Sequence, residues 1–167
     1  MMGEAIRRTL EYFAKAGIII SEDEKSRIEV ADFGLNDLER TGLQILTYVN
    51  TERCCAKELV LFPGQTCPEH RHPAVGGREG KEETFRCRYG RVFLYVEGEP
   101  TAAPQARPPE GRYTVFREIV LNPGEQYTLA PDTKHWFQGG EIGAVVSEFS
   151  TKSTDEADIF TDERIIR

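Results

Sequence analysis

Residues 64–90 of the chain read GQTCPEHRHPAVGGREGKEETFRCRYG, and this segment carries the clearest indication of the fold. His70 and His72 are separated by one residue, so on an extended segment both imidazoles point to the same face and can reach one ion. Gly64 precedes the pair with the spacing G-x5-H-x-H. A glycine at that place fits a sharp turn of a small barrel. The stretch therefore indicates a candidate metal-binding segment that begins at a turn.

A carboxylate and a third imidazole can complete this candidate site. Glu83 starts a predicted strand and precedes Gly90 as E-x6-G, and His135 follows a turn at Pro131-Asp132. Three imidazole nitrogens and one carboxylate suit Mn²⁺, Fe²⁺, Co²⁺, Ni²⁺ or Zn²⁺, and an octahedral ion would keep about two positions open. The alternative is three histidines that pack without a metal, because three is an ordinary count in 167 residues.

Length and charge limit the classes of protein to consider. The 167 residues fit a single domain, in which residues 1–40 are predicted to form a helical extension and residues 41–167 a barrel with a C-terminal tail. The net charge of −7 argues against a nucleic-acid partner and against an anionic membrane surface. The N-terminus shows no signal-peptide core, so we expect a cytoplasmic protein whose four cysteines are free thiols.

Hydrophobic patterning predicts helices first and strands afterwards. Apolar residues at helical spacing before Gly17 predict a helix over residues 1–16, and the capping box from Ser21 to Glu24 predicts a second, short helix. Apolar runs rich in β-formers then predict strands at Leu43–Val49, Lys57–Phe62, Thr84–Arg88, Arg91–Glu97, Tyr113–Leu121, Gln126–Leu129, His135–Gln138 and Ala144–Phe149. Many short strands separated by Gly/Pro turns favour an all-β sandwich or barrel.

Two glycine-containing sites are interpreted as chain reversals between these strands. Tyr89-Gly90 is predicted to be a tight hairpin turn, and Gly139-Gly140 a turn between two short strands. The Pro-rich residues 100–111 are predicted to form a surface loop.

The motif pattern resembles that of the cupins. G-x5-H-x-H and E-x6-G are followed by a later G…P…H at Gly124, Pro131 and His135, in the order of the two cupin motifs. The resemblance implies a double-stranded β-helix, which is a jelly-roll barrel, behind the N-terminal helices. The ten residues 73–82 are longer than the corresponding segment of the commonest cupin pattern and would form a loop beside the metal.

A closer resemblance covers the chain from about Tyr48 to Ile165. The segments ELVLFPGQTCPEHRHP, EGKEETFRCRYGRVFLYVEGE, TKHWFQ and SEFSTKSTDEADIFTD resemble the D-lyxose isomerases, which are metal-dependent cupin sugar isomerases. The resemblance implies a divalent metal, usually Mn²⁺, and the interconversion of D-lyxose with D-xylulose through a metal-stabilised enediolate. Several members also interconvert D-mannose and D-fructose. The four implied metal ligands are His70, His72, Glu83 and His135.

Two residues are candidates for acid–base catalysis. Lys81 lies two residues before Glu83, so on one strand it would share the face of that ligand, and burial near a cation would lower its pKa. The alternative is a surface lysine. Glu148 lies in the apolar run from Val145 to Phe149, and the resemblance places a glutamate of this segment in the pocket as the base. The alternative is an outward-facing strand residue.

The predicted substrate-binding residues are Lys81, Glu148, Phe85, Lys134 and Asp158. Phe85 shares the strand face of Glu83, and core packing explains it more simply than substrate binding does. Lys134 adjoins the ligand His135 but need not face inward. Asp158 is included on the resemblance alone, with the tail folding back over the barrel mouth.

Other activities are compatible with the same ligand set. A cupin dioxygenase could use three histidines and one glutamate with iron or copper, and a sugar-binding cupin could hold the metal without catalysis. A hydride shift could replace proton transfer in the isomerase. For an isomerase by either mechanism, the expected partner is a monosaccharide substrate. Pairing of exposed sheet edges also predicts a homodimer.

Overall fold

The computed structural model describes residues 2–167, which form two α-helices, a short 3₁₀ helix (Asp155–Ala157) and a curled, mostly antiparallel sheet. The α-helices are α1 (Met2–Lys15) and α2 (Glu22–Ser26). The strands are β1 (Glu29–Ala31), β2 (Leu43–Asn50), β3 (Cys55–Leu61), β4 (Thr66–Arg71), β5 (Glu83–Val96), β6 (Arg117–Leu121), β7 (Gln126–Leu129), β8 (His135–Ser150) and β9 (Ile159–Phe160).

Both predicted helices are confirmed. Helix α1 buries Ala5 and Phe13 against the outside of the sheet, and Gly17 follows it with φ of 70°, as helix C-termini commonly require. Helix α2 begins at the predicted capping box, in which Glu24 N–H donates to Ser21 Oγ and Ser21 N–H donates to a Glu24 carboxylate oxygen. Met1 of the predicted first helix lies outside the described residues.

The long strands β5 and β8 connect the two layers of the sheet, because each strand contributes one half to each layer. They pair antiparallel from Glu83–Ser150 to Val96–His135. In one layer of the sheet, the first half of β5 pairs with β7. The second half of β8 pairs with β3, and the layer continues through β2 to β1. The opposite halves continue into β6 and into β4 and β9. The layers enclose an apolar core.

The predicted hairpin at Tyr89-Gly90 and the predicted turn at Gly139-Gly140 are wrong. β5 and β8 each run through these sites as one strand, and the ladder is irregular beside Tyr89 and Gly90. A Cβ on Gly90 would lie 2.0 Å from Gly143 O, so the backbones of the two strands are too close there for a side chain. The glycines therefore bend a continuous ladder rather than reverse the chain.

Other element boundaries differ from those predicted. β6 begins at Arg117 instead of Tyr113, because Tyr113 and Phe116 pack against Trp136 outside the ladder. The short strands β1 and β9 carry too few residues to show an alternating pattern, and the sequence analysis does not predict them. Within residues 2–40, β1 joins the sheet through β2, so this extension is not purely helical.

The described residues contain no helix that is both long enough and apolar enough to cross a lipid bilayer.

Candidate metal centre and active site

Neighbouring strands bring the predicted metal ligands together inside the barrel. His70 lies in β4 directly opposite His135 in β8, and His72 follows β4 by one residue. One ring nitrogen of each histidine lies within 4.8 Å of the others. Glu83 begins β5, where its Oε1 lies 3.1 Å from His72 Nε2 and 3.0 Å from His135 Nε2. Four potential ligand groups therefore converge at one point.

The second nitrogen of each imidazole is held by an acceptor. His70 Nδ1 donates to Pro68 O at 2.8 Å, and His135 Nδ1 donates to Thr133 O at 2.9 Å. His72 Nδ1 donates to Asp158 Oδ1 at 2.6 Å. Carbonyl and carboxylate oxygens only accept hydrogen bonds, so each Nδ1 carries its proton and each Nε2 is directed to the common point.

Burial and neighbouring charges act on the pKa values of these groups. Burial, together with His135 and His72, holds the pKa of His70 well below its usual value. Burial also lowers the pKa of His72, but Glu83 and Asp158 outweigh it and raise that pKa to about 9. Burial raises the pKa of Glu83, yet Lys81 and His72 bring it well below its usual range. Glu83 is thus held as a carboxylate.

The chemistry of the converging atoms fits a divalent metal ion. His135 Nε2 is buried and, among the described residues, has no well-aligned hydrogen-bond partner, which is costly unless another group satisfies it. Imidazole nitrogens and a carboxylate oxygen are the ligands that borderline divalent metals prefer. His70, His72, His135 and Glu83 would hold the ion.

Glu148 and Lys81 form a buried ion pair beside this centre. Lys81 Nζ lies 2.9 Å from Glu148 Oε1 and 2.8 Å from Glu83 Oε2. Burial lowers the pKa of Lys81, but Glu148 and Glu83 together raise it well above its usual value. This direction is the reverse of the one expected from the sequence, because Lys81 contacts two carboxylates. Lys81 and Glu148 are both buried, which agrees with the prediction that their side chains face inward.

One cavity, with about 370 Å³ of space including its open mouth, is lined by His70, His72, Glu83, Lys81 and Glu148. A sphere the size of a water molecule can reach only about 30 Å³ of this space, so the cavity is narrow compared with the ~300–1,000 Å³ usual for small-molecule sites. The lining combines charged side chains at the metal centre with apolar side chains such as Leu59 and Phe137. A small, partly polar ligand fits such a lining.

The other predicted substrate-binding residues have different positions. Phe85 lines the cavity directly opposite Glu148 in the ladder between β5 and β8, and Asp158 lines it from the C-terminal tail. Lys134 is not among the described residues that line the cavity, and its Nζ donates to Thr114 Oγ1 at 3.2 Å.

Three further charged residues, which are not among the predicted site residues, line the cavity. Lys57 pairs in register with Glu148, and its Nζ contacts Asp155 Oδ2 at 2.7 Å. Arg167 reaches the same Asp155 oxygen at 3.2 Å. Lys57 could have been found by the argument used for Glu148, because it interrupts an apolar strand on the inward side. No sequence pattern marks Asp155 or Arg167.

No protein-family model matches this chain, whereas relatives of known name match almost all of it. The D-lyxose/D-mannose isomerase of Thermosediminibacter oceani is 67% identical over 167 residues, which cover 98% of this chain and 92% of that protein. The D-lyxose ketol-isomerase of Cohnella laeviribosi is 64% identical with the same coverage. A D-lyxose ketol-isomerase of a Thermofilum species is 58% identical over 170 residues, covering 100% of this chain and 94% of that protein.

Solved structures confirm the predicted fold. The chain is similar to the L-ribose isomerase of Cellulomonas parahominis with a TM-score of 0.74 and 17% identity, covering 96% of this chain and 91% of that structure. The L-ribose isomerase of Acinetobacter sp. DL28 gives a TM-score of 0.74 at 16% identity, covering 97% and 91%. The fold is the cupin double-stranded β-helix.

Proposed function

This chain belongs to the D-lyxose isomerase family, and we propose that it interconverts D-lyxose with D-xylulose, and D-mannose with D-fructose, at the centre formed by His70, His72, Glu83 and His135. It is an aldose–ketose isomerase. The observation that supports the site is the convergence of three imidazoles and Glu83 beside the buried pair of Glu148 and Lys81 in one cavity.

We propose Mn²⁺ as the metal, with Zn²⁺, Co²⁺, Fe²⁺ and Ni²⁺ as ions that the same ligands accept. When bound, a divalent ion supplies Lewis-acid stabilisation of negative charge on the substrate oxygens. The chain's own contribution is to fix the ligands: Pro68 O and Thr133 O orient two of the imidazoles, and Lys81 holds Glu83 as a carboxylate.

In this proposal Glu148 is the base that takes the proton from one substrate carbon and returns it to the neighbouring carbon. Its carboxylate is buried, and Lys81 Nζ donates to Oε1 at 2.9 Å, which fixes the orientation of the group. Glu148 shares its row of the sheet with Phe85 and Lys57, so it faces the cavity from the middle of a rigid ladder. Lys81 donates N–H hydrogen bonds to the two substrate oxygens on the reacting carbons, which change their protonation during the reaction.

The walls of the cavity would orient the sugar chain. Phe85 offers an apolar face beside the base, and Lys57 with Asp155 offers charged partners for hydroxyl groups on the other side. Within residues 2–167, Lys134 is not among those that line the cavity, and its Nζ contacts Thr114. We therefore propose that it contacts only a sugar that reaches out of the cavity.

The alternative activities fit these observations less well. Lys57, Lys81, Glu148 and Asp155 give the cavity several charged groups besides the ligands, whereas an oxygenase for an apolar substrate would show mainly apolar groups. Acid–base groups beside the metal centre are superfluous in a protein that only binds sugar. Together with the named relatives, this favours the isomerase.

We further propose a cytoplasmic homodimer. All four cysteines are free thiols, which suits a reducing compartment. Val49, Ala56 and Phe149 lie side by side across β2, β3 and β8 on the outer face, where Val49 and Phe149 are exposed. An apolar row on a sheet face is a suitable surface for a second copy of the chain.

Deuterium exchange tests the proposed proton transfer. When the enzyme loaded with Mn²⁺ converts D-lyxose in D₂O, we expect deuterium on the carbon that receives the proton, because a protonated Glu148 exchanges with solvent. Glu148→Gln should lower kcat by about 10²–10⁴-fold. Ketose formation without deuterium and with an active Glu148→Gln variant would instead support a hydride shift.

A further inference from the structure

The three imidazoles of the metal centre are oriented in two different ways. His70 and His135 each donate from Nδ1 to a backbone carbonyl two residues earlier in the chain, at Pro68 and Thr133. His72 donates from Nδ1 to Asp158 Oδ1 at 2.6 Å, and Asp158 lies 86 residues further along the chain. Of the three Nδ1 hydrogen bonds, only that of His72 depends on the C-terminal segment.

Asp158 is placed at this position by contacts of the three residues that follow it. The following strand β9 pairs with β4, where Ile159 lies opposite Arg71 and Phe160 opposite His70. Thr161 then donates from its backbone N–H to Glu69 O at 3.0 Å and from Oγ1 to Glu69 Oε1 at 2.6 Å. The Asp158 side chain is only 7% exposed. The carboxylate is thus anchored against the strand that carries the ligands.

We propose that Asp158 is a positioning residue that orients His72 in the metal centre, and that the C-terminal segment is therefore part of the metal site. This inference deepens the proposed function, because it concerns the same centre. A carboxylate only accepts hydrogen bonds, so it keeps the proton on Nδ1 and leaves Nε2 free to bind the ion. It also makes the imidazole a stronger ligand.

The competing role for Asp158 is direct binding of the sugar, since its side chain lines the cavity. The two roles predict different measurements. An orienting residue affects metal affinity when no sugar is present, whereas a sugar-binding residue affects KM when the metal is saturating. The other two histidines are held by the backbone carbonyls of Pro68 and Thr133. Loss of Asp158 therefore weakens metal binding without abolishing it.

Equilibrium dialysis of Mn²⁺ against the metal-free full-length protein, without sugar, provides the test. We expect Asp158→Ala to weaken the Kd for Mn²⁺ by about 10–100-fold. Asp158→Asn keeps an acceptor oxygen for Nδ1–H while it removes the charge, so its Kd should lie between those of Asp158→Ala and the parent. Glu156→Ala is the matched control within the same segment, because it removes an exposed carboxylate and leaves the contact to His72, so its Kd should equal that of the parent.

Two outcomes would overturn the proposal. One is an unchanged Kd for Mn²⁺ in Asp158→Ala with a raised KM for the sugar, which would make Asp158 a substrate contact. The other is an equal loss of affinity in the Ala and Asn variants, which would show an effect of charge alone.

A second readout needs no variant and remains available if Asp158→Ala fails to fold. In the Zn²⁺-loaded parent, ¹⁵N-resolved NMR should show a hydrogen-bonded Nδ1–H of His72, and its absence would contradict the proposal. The metal measurements also stand apart from catalysis. A parent that binds Mn²⁺ and passes these tests but isomerises no sugar would remove the proposed function and leave this inference intact.

Discussion

Single inward-facing residues of β3 and β8 determine the chemistry of the cavity. Lys57 and Glu148 lie directly opposite each other in these strands, on the side that otherwise carries Leu59 and Val146. Period-2 alternation assigns both charged residues to the inside, and burying charges in an apolar layer is costly unless they are paired. The sequence can therefore show that such residues face inward, but their partners come from the tail and the loop.

Replacing Lys57 tests the pairing. In Lys57→Met, Asp155 loses one of its charged partners in a largely buried place, so the free energy of unfolding should fall by about 1.5–3 kcal/mol. Urea unfolding of the metal-free protein measures this change. Lys152→Met is the matched control, because Lys152 pairs with Glu52 at the surface and should change stability by less than about 1 kcal/mol. Equal effects of the two substitutions would contradict the assignment.

Glu58 gives a pH dependence that is independent of the metal centre. Burial raises its pKa above the usual value, although Ser147 and Arg88 oppose the shift. The folded state therefore holds the proton more strongly than the unfolded state, so this contribution to stability is present at low pH and is lost as the pH rises through the folded pKa.

In Glu58→Gln we expect the stability gained over the parent to grow between pH 4 and pH 7, because the amide still accepts from Ser147 Oγ and has no charge to bury. Urea unfolding of both proteins at each pH gives the difference between their free energies of unfolding. The histidines titrate in both proteins, so their contribution cancels in this difference. A difference that shrinks with rising pH would contradict the direction assigned to the Glu58 pKa.

Among the secondary-structure elements, the bent ladder of β5 and β8 explains why local sequence interpretation succeeded in part. The apolar runs on both sides of Gly90 were recognised, and so was the strand character of residues 135–149. A glycine between two apolar runs fits either a hairpin or a bend, since both need an unhindered backbone. The pairing of the whole of β5 with β8 decides between them, and that pairing is not local.

The two motif glycines should respond differently to a methyl group. Gly90 and Gly64 have φ values of 70° and 69°, so a substitution to alanine strains both backbones, by about 1–3 kcal/mol. Only at Gly90 does the new Cβ meet backbone, 2.0 Å from Gly143 O, whereas Gly64 has open space. Thermal unfolding should therefore show a larger loss of stability for Gly90→Ala than for Gly64→Ala. Equal losses would mean that the close approach of β5 to β8 is unimportant.

For the whole molecule, the resemblance of the motif region correctly predicted the cupin fold and the isomerase family. Motif spacing was sufficient because three of the proposed ligands lie on β4, β5 and β8, and β8 pairs with both of the others. The closing of the cavity by the tail was a weaker prediction. It depends on Asp155, Asp158 and Arg167, which are distant in sequence from the ligands and follow no periodic pattern.

Charge on the outer apolar row should abolish dimerisation. Phe149 is 49% exposed next to Ala56, so Phe149→Asp would place a carboxylate in the proposed interface. Sedimentation velocity should show a dimer for the parent and a monomer for this variant. Ile142→Asp is the control, because Ile142 is exposed elsewhere and contacts α1 through its carbonyl. A parent that is monomeric at all concentrations would contradict the proposed homodimer.

The most direct test of the metal-dependent isomerase is a ketose assay on metal-stripped and Mn²⁺-reloaded protein with D-lyxose and D-mannose. We expect ketose only after reloading, no activity in His72→Ala, and retained activity in Arg71→Ala, which changes the solvent-facing residue between the two histidines. Full turnover by the stripped protein, or stoichiometric Mn²⁺ binding without turnover of either sugar, would contradict the account.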